Sequence, residues 1–134
     1  MNNISNHISY KEATRSITAK RLGIDNSPTI EHIYNMQVLA EKVFEPLRKY
    51  IGKPICINSM YRSPELNKAI GGSMTSQHCK GQAMDIDDKY GHATNATMFN
   101  FIKDNLDFDQ MIWEFGDNNN PDWVHVSYVF FFFF

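Results

Sequence analysis

Residues 110–129 read QMIWEFGDNNNPDWVHVSYV, and this stretch decides the fold class. Its two ends, Gln110–Phe115 and Trp123–Val129, are rich in the β-branched and aromatic residues that favour strands. Residues 116–121 between them include glycine, asparagine and proline, which favour turns. The sequence therefore predicts two strands joined by a turn in the last part of the chain.

Upstream of these strands, the longest predicted element is a helix. It begins at Ser27-Pro28, where a cap residue precedes a proline suited to the first helical position, and it ends at Gly52. Its apolar residues recur at alternating spacings of three and four, so they form one buried stripe. Pro46 lies near its end and can bend it. The stripe consists of Ile33, Met36, Ala40, Val43 and Leu47.

The other predicted elements are short. One helix is expected from a capping box at Ser9 to near Gly23, a second over Glu65–Ile70 after the cap Ser63-Pro64, and a third over Asn95–Leu106. Short strands are expected over Ile55–Ser59 and Ala83–Asp87, and a loop over residues 73–82. The sequence thus predicts a single α+β domain over residues 1–134, in which helices pack on a small antiparallel sheet.

Length and charge exclude several classes of protein. The chain has 134 residues, which fits one domain with one core. Lys and Arg number 13 against 15 Asp and Glu, a net charge of -2, whereas nucleic-acid-binding proteins usually carry a basic excess. No apolar run reaches the about 18 residues of a membrane-spanning helix. The beginning, MNNISNHISYKEATR, has no apolar run after a basic start, so we expect no signal peptide.

The residues that can carry chemistry lie in the stretch SQHCKGQAMD at 76–85 and in the last strand. His78 and Asp85 are both good zinc ligands, and Gly81 allows a tight turn between them. His125, held rigidly on a strand, is the candidate third ligand. Three protein ligands leave one tetrahedral position for water, as in catalytic zinc sites. A His–Asp pair is more often a surface hydrogen bond, so the residues alone leave both interpretations open.

Four motifs together resemble one family. They are YRSPELN at 61–67, IGGS at 70–73, Ser76-x-His78-x-x-Gly81-x-Ala83-x-Asp85, and WVHVS at 123–127. This pattern resembles the zinc D-Ala-D-Ala carboxypeptidase-like peptidases. The family includes peptidoglycan carboxypeptidases, phage L-alanyl-D-glutamate endopeptidases and vancomycin-resistance dipeptidases, and the amino-terminal domain of hedgehog proteins shares its fold. The resemblance covers roughly residues 9–128.

The resemblance implies a hedgehog/DD-peptidase-like fold and a zinc ion (Zn2+) held by His78, Asp85 and His125. Arg62 matches the arginine that binds and polarises the substrate, a role that suits a planar guanidinium beside a carboxylate or carbonyl. Further candidate substrate-binding residues are Ser76, Gln77 and Trp123. Ser76 could instead cap the loop, and Trp123 could instead pack in the core.

The catalytic base has two candidates, because the chemistry needs a carboxylate beside the zinc-bound water. Asp122 lies three positions before His125, as the catalytic carboxylate does in several branches of the family. However, an odd offset on a regular strand places Asp122 on the opposite face from His125. Glu114 ends the preceding strand, and hairpin pairing can bring it beside His125 on the same face. The pairing argument favours Glu114.

These observations predict a zinc metallopeptidase that hydrolyses D-amino-acid-containing bonds of bacterial peptidoglycan, either as a carboxypeptidase or as an endolysin-like endopeptidase. Its size and the expected absence of a signal peptide fit a phage lysis or virion protein as well as a bacterial enzyme. A phage protein would stay in the cytoplasm until release and then act at the cell wall. The alternative is a zinc-binding interaction module without catalysis, for example in a phage virion.

The chain ends in five phenylalanines, Phe130–Phe134. Either this run continues the last strand and packs on the protein's own core, or it docks into an assembly partner. An exposed run of this kind promotes aggregation, so we expect it to be covered.

Overall fold

The computed structural model describes residues 3–130, and it mixes helices with two antiparallel sheets, which confirms the predicted α+β class. The helices are α1 (Tyr10–Thr14), α2 (Ile17–Leu22), α3 (Ile30–Leu39), α4 (Glu45–Ile51), α5 (Pro64–Ala69) and α6 (Asn95–Asn105). The strands are β1 (Asn3–Ser5), β2 (Ile8–Ser9), β3 (Cys56–Ser59), β4 (Ala83–Asp87), β5 (Gln110–Glu114) and β6 (Trp123–Ser127). A π-helical turn, Ala40–Phe44, joins α3 to α4, and a 3-10 turn, Gln77–Lys80, precedes β4.

Four strands form the main sheet, in the order β3-β4-β6-β5, while β1 and β2 form a separate hairpin. Strands β5 and β6 pair as an antiparallel hairpin that sets Ile112 opposite His125. Strand β4 pairs with the other side of β6 and sets Asp85 opposite the same histidine. Directly opposed residues share a face of a sheet, so Asp85 and His125 project to the same side.

The core lies on the opposite face of this sheet. Met84, Ile86, Val124 and Val126 alternate with Asp85 and His125 along β4 and β6, and all four are essentially inaccessible to solvent. The helical side of the core contains most of the predicted apolar stripe, namely Met36, Ala40, Val43 and Leu47, all fully buried. Burial of one face of the sheet therefore turns the polar side chains of the same two strands to the other face.

The first predicted helix is wrong in its length, because the chain leaves the helical conformation at Arg15 and Ser16. The side chain of Ser9 caps α1 by accepting from the Glu12 amide, and that of Ser16 caps α2 by accepting from the Ala19 amide. A second N-cap residue in extended conformation ends one helix and starts another. The sequence pattern shows a helical period on both sides of this break but does not register the break itself.

The start of the long helix also differs from the prediction at Ser27-Pro28. Helix α3 begins after Thr29, whose side-chain oxygen accepts from the His32 amide at 3.2 Å, while His32 Nδ1 accepts from the Thr29 amide at 3.3 Å. This reciprocal capping satisfies two amides at once, and Pro28 therefore precedes the cap instead of following it. Within residues 3–130, no helix combines the length and the apolar character needed to cross a membrane.

The last strand is shorter than predicted, because β6 ends at Ser127 and not at Val129. The amide of Tyr128 donates instead to the Gln82 carbonyl, just before β4, at 3.0 Å. Phe130 is 42% exposed, and residues 131–134 of the phenylalanine run lie outside the described residues. Packing of this run on the core and docking into a partner both stay predictions.

The β1-β2 hairpin is fastened to α4 by Glu45. One carboxylate oxygen of Glu45 accepts from the Ser5 hydroxyl at 2.6 Å and from the His7 amide at 2.9 Å, and the other lies 2.6 Å from His7 Nδ1. Burial raises the pKa of Glu45, but the hydrogen bonds from Ser5 and His7 outweigh burial and lower it. The ionised carboxylate therefore stabilises the fold above its unfolded-state pKa, and this stabilisation is lost as pH falls through the folded-state pKa.

We expect Glu45→Gln to reduce the free energy of unfolding by about 1–2 kcal/mol at neutral pH, because it replaces a charged acceptor by a neutral one. The difference from the wild type should shrink in acid, below both pKa values of Glu45. Urea unfolding at neutral pH and in acid measures both effects. Glu41→Gln, at an exposed position of the π-helical turn, is the matched control, and equal losses in the two variants would contradict the prediction.

Candidate metal centre

Three side chains from different segments converge on the open face of the sheet. His78 comes from the 3-10 turn, Asp85 from β4 and His125 from β6, and one candidate ligand atom of each lies within 4.8 Å of the others. Asp85 Oδ1 is 2.9 Å from His125 Nδ1 and 3.4 Å from His78 Nε2. The structure thus brings together all three residues that the sequence suggests as metal ligands.

The orientation of His78 fits a metal ligand. Its Nδ1 lies 2.7 Å from the Met60 carbonyl oxygen, which can only accept, so Nδ1 donates and, in the neutral imidazole that binds a metal, the lone pair is on Nε2. His78 is 1% exposed, and its Nε2 has no hydrogen-bond partner among residues 3–130. A buried lone pair that faces a carboxylate is an arrangement that a cation between them completes.

Asp85 holds its charge in this setting. Burial raises the pKa of the Asp85 carboxyl, but the interactions of the carboxylate with the neighbouring imidazoles of His125 and His78 outweigh burial and hold the pKa well below its usual range. The group is therefore ionised at neutral pH, which is the form that binds a metal. Two imidazoles and one carboxylate are a donor set suited to Zn2+.

The turn that carries His78 is fixed at both ends. Ser76 Oγ accepts from the His78 amide at 3.3 Å, so Ser76 caps the turn, and Gly81 ends it in the left-handed conformation with φ of 72°. A Cβ atom at Gly81 would lie 2.4 Å from the His32 carbonyl oxygen of α3. Glycine at this position therefore meets two requirements, a positive φ and a close approach of two backbones.

A cavity of about 460 Å³ opens beside the three ligands. All the predicted substrate-binding residues line it, namely Arg62, Ser76, Gln77 and Trp123. Arg62 is held at the backbone, where its amide donates to the His78 carbonyl at 3.2 Å, and its Nε is buried without a hydrogen-bond partner among residues 3–130. The cavity thus combines a candidate metal site with the guanidinium of Arg62.

The comparison with known families agrees with this arrangement. A sequence profile of the family described as Peptidase M15 matches residues 6–127. The chain belongs to the peptidase M15 family. This confirms the family that the four motifs resemble, the zinc D-Ala-D-Ala carboxypeptidase-like peptidases. M15 peptidases are zinc-dependent, and the His78–Asp85–His125 group is the part of this chain that could hold the ion. No curated protein was found to match the chain.

The two candidate bases of this M15 chain lie in different surroundings. Glu114 is half-buried, lines the cavity, and pairs with Trp123 on the face that carries His125. Asp122 is exposed and is not among the residues that line the cavity. Its amide donates to the Glu114 carbonyl at 2.8 Å, which fixes its backbone at the start of β6. The geometry thus places Glu114, and not Asp122, among the residues that line the cavity.

Gln77 of the M15 chain makes a contact that the sequence does not suggest. Its Nε2 donates to Asp109 Oδ2 at 2.8 Å, so it bridges the 3-10 turn and the residue before β5. Gln77 also lines the cavity, where its remaining amide atoms stay available to a substrate. The substrate contact of Gln77 stays a prediction.

Asn95 is a residue that sequence reasoning missed. It is 4% exposed, and its Nδ2 donates to Asp87 Oδ1 at 2.8 Å and lies 3.1 Å and 3.0 Å from the carbonyl oxygens of Pro121 and Asp122. Its Oδ1 accepts from the Asp88 amide at 2.8 Å. In this M15 chain, Asn95 therefore fixes the segment that leads into His125. A single sequence holds no signal of this role, since asparagine near a helix start is ordinary.

Proposed function

We propose that this chain is a zinc peptidase that hydrolyses D-amino-acid-containing peptide bonds of bacterial peptidoglycan. The observation that carries the proposal is the position of the His78–Asp85–His125 group at the wall of a cavity that also contains a carboxylate, Glu114, and a guanidinium, Arg62. These are the groups that metal-assisted hydrolysis of an amide requires. Membership in the M15 family supports the same reaction class.

When held by His78, Asp85 and His125, zinc supplies Lewis-acid polarisation of the scissile carbonyl and lowers the pKa of a water molecule. Glu114 takes a proton from the attacking water and then gives it to the leaving amine. Arg62 binds the substrate through a carboxylate or carbonyl oxygen. Trp123 forms an apolar wall that helps to exclude other water molecules.

The alternative base is Asp122, which has the spacing from His125 found in several branches of the family. Asp122 lies just before β6, which begins at Trp123, so the alternation of faces along the strand does not fix the direction of its side chain. The position of Glu114 among the cavity-lining residues supports Glu114 as the base.

The substrate group that binds Arg62 decides between the two modes of cleavage. A terminal carboxylate at Arg62 gives a carboxypeptidase, whereas a carbonyl of a continuing chain gives an endopeptidase.

We propose in addition that the protein is phage-encoded and acts at the bacterial cell wall after release, with the Phe130–Phe134 run held by an assembly partner. The resemblance to phage endopeptidases supports this origin, and a chromosomal locus without phage neighbours would contradict it.

The purified protein is expected to contain about one zinc ion per chain and to cleave peptidoglycan. A chelator should stop cleavage and added zinc should restore it, while His125→Ala should lose both the metal and the activity. His92→Ala, at an exposed histidine outside the ligand group, is the matched control and should keep both. Metal analysis together with peptide release from purified cell walls measures these effects.

Zinc binding without hydrolysis would contradict the peptidase proposal and favour the non-catalytic interaction module. Absence of zinc from freshly purified protein, together with unchanged activity in His125→Ala, would contradict the metal site itself.

A further inference from the structure

A second and larger cavity, of about 610 Å³, lies beside the metal-centre cavity. It runs along β3, from Cys56 to Ser59, and between α2 and α5. Arg62 lines both cavities and is therefore their shared wall.

The second cavity is strongly biased in charge. Its lining includes Arg15, Arg62 and Lys89 and no aspartate or glutamate. Among residues 3–130, none of the ion pairs involves these three side chains. Glu12 interacts electrostatically with Arg15 but does not line the cavity. Three cations around one space, in a chain whose net charge is -2, point to an anionic ligand.

The cavity also offers groups that recognise a peptide. Strand β3 stands at the edge of the main sheet, with β4 as its one strand neighbour in that sheet, and an edge strand can pair with an extended peptide. The Ile57 carbonyl accepts from Arg15 Nη2 at 3.5 Å, which directs the guanidinium along this edge. Ile17 and Ile70 are 84% and 45% exposed and supply apolar contact area.

We propose that this space, termed the basic cavity and bounded by β3, Arg15, Arg62 and Lys89, binds a carboxylate-bearing segment of the peptide substrate away from the scissile bond. The proposal rests on the proposed function, since it assigns the substrate of the same site. A guanidinium binds a carboxylate through paired hydrogen bonds, and the Lys89 ammonium adds a further charge. The substrate class is therefore an acidic peptide, and the basic cavity contributes to its selection.

Matched synthetic peptides test this proposal. Each pair contains the same D-amino-acid bond and differs only by Glu or Gln at one position, which is moved stepwise away from the scissile bond. For at least one position, the wild type should cleave the Glu peptide with a kcat/KM about tenfold higher than the Gln peptide. In the double variant Arg15→Gln/Lys89→Gln the ratio should fall to near one. The control Lys49→Gln/Lys53→Gln removes two exposed lysines outside both cavities and should keep the ratio.

A binding measurement separates this inference from the proposed function. The same peptides are titrated into chelator-treated wild-type protein by calorimetry, so that no cleavage is needed. Tighter binding of the Glu peptide, lost in Arg15→Gln/Lys89→Gln, would support the basic cavity even if the protein hydrolysed nothing. Equal cleavage and equal binding of both peptides would overturn it while leaving the peptidase proposal intact. Competition by inorganic phosphate as strong as by the Glu peptide would also overturn it, since the site would then bind any anion.

Discussion

Glu114→Gln is expected to lower kcat on a peptidoglycan peptide by about 10²–10⁴-fold while zinc remains bound. Glutamine keeps the size and the hydrogen-bonding reach of the side chain but cannot take a proton from water. Glu114 lines the cavity on the same face of the sheet as His125 but is not one of the three candidate ligands, so we expect the variant to keep its metal. Steady-state kinetics and metal analysis of the same preparation measure the two effects separately.

Asp122→Asn is the matched comparison, and it should change kcat only slightly. The Asp122 side chain is exposed and is not among those that line the cavity, while the backbone contacts of this residue, to Glu114 and Asn95, do not depend on the carboxylate. If Asp122→Asn abolishes turnover and Glu114→Gln does not, the assignment of the base is wrong. That result would assign the role of the base to Asp122.

Gly81→Ala is expected to reduce the free energy of unfolding by at least about 3 kcal/mol and to weaken zinc binding. The added Cβ meets two penalties, a φ of 72° and a distance of 2.4 Å from the His32 carbonyl oxygen. The clash is with backbone, so a side-chain rotation cannot relieve it. Any shift of the turn moves His78, whose backbone carbonyl accepts from the Gly81 amide at 3.3 Å.

Gly91→Ala provides the control for this variant. Gly91 has a φ of 75°, but a Cβ atom there would meet nothing within 4 Å. This variant should therefore show only the conformational cost of the left-handed region, about 1 kcal/mol. Urea unfolding of the zinc-free proteins, followed by zinc titration, compares the two. Equal losses of stability would contradict the close approach of the 3-10 turn to α3.

Local patterns predicted most elements because the determinants of each lie within a few residues. The apolar stripe from Met36 to Leu47 and the N-cap Ser63 are of this kind, and the structure confirms both. The break between α1 and α2 at Arg15-Ser16 was not predicted, because the spacing of apolar residues continues across it. The helix start predicted at Ser27-Pro28 was wrong because Thr29 caps the helix instead. That cap includes a hydrogen bond to the His32 ring, which residue propensities do not take into account.

The candidate metal site likewise has a part that could be predicted from the sequence and a part that could not. The chemistry of His78, Asp85 and His125 and their resemblance to a family motif suggested their convergence, but only the pairing of β4 with β6 fixes it. That pairing joins segments far apart in sequence, and nothing within either strand specifies the partner. Asn95 was missed for a related reason, because its partners at Pro121 and Asp122 are distant carbonyl groups.

The alternation along β4 and β6 also limits how this site can change by insertion or deletion. Asp85 and His125 share strands with Ile86 and Val124, and neighbouring residues point to opposite faces. Loss or gain of one residue within either strand would bury a metal ligand and turn a core residue outwards. Length changes are therefore compatible with both folding and metal binding only in the connections, such as residues 116–121, whereas the two central strands can vary by substitution alone.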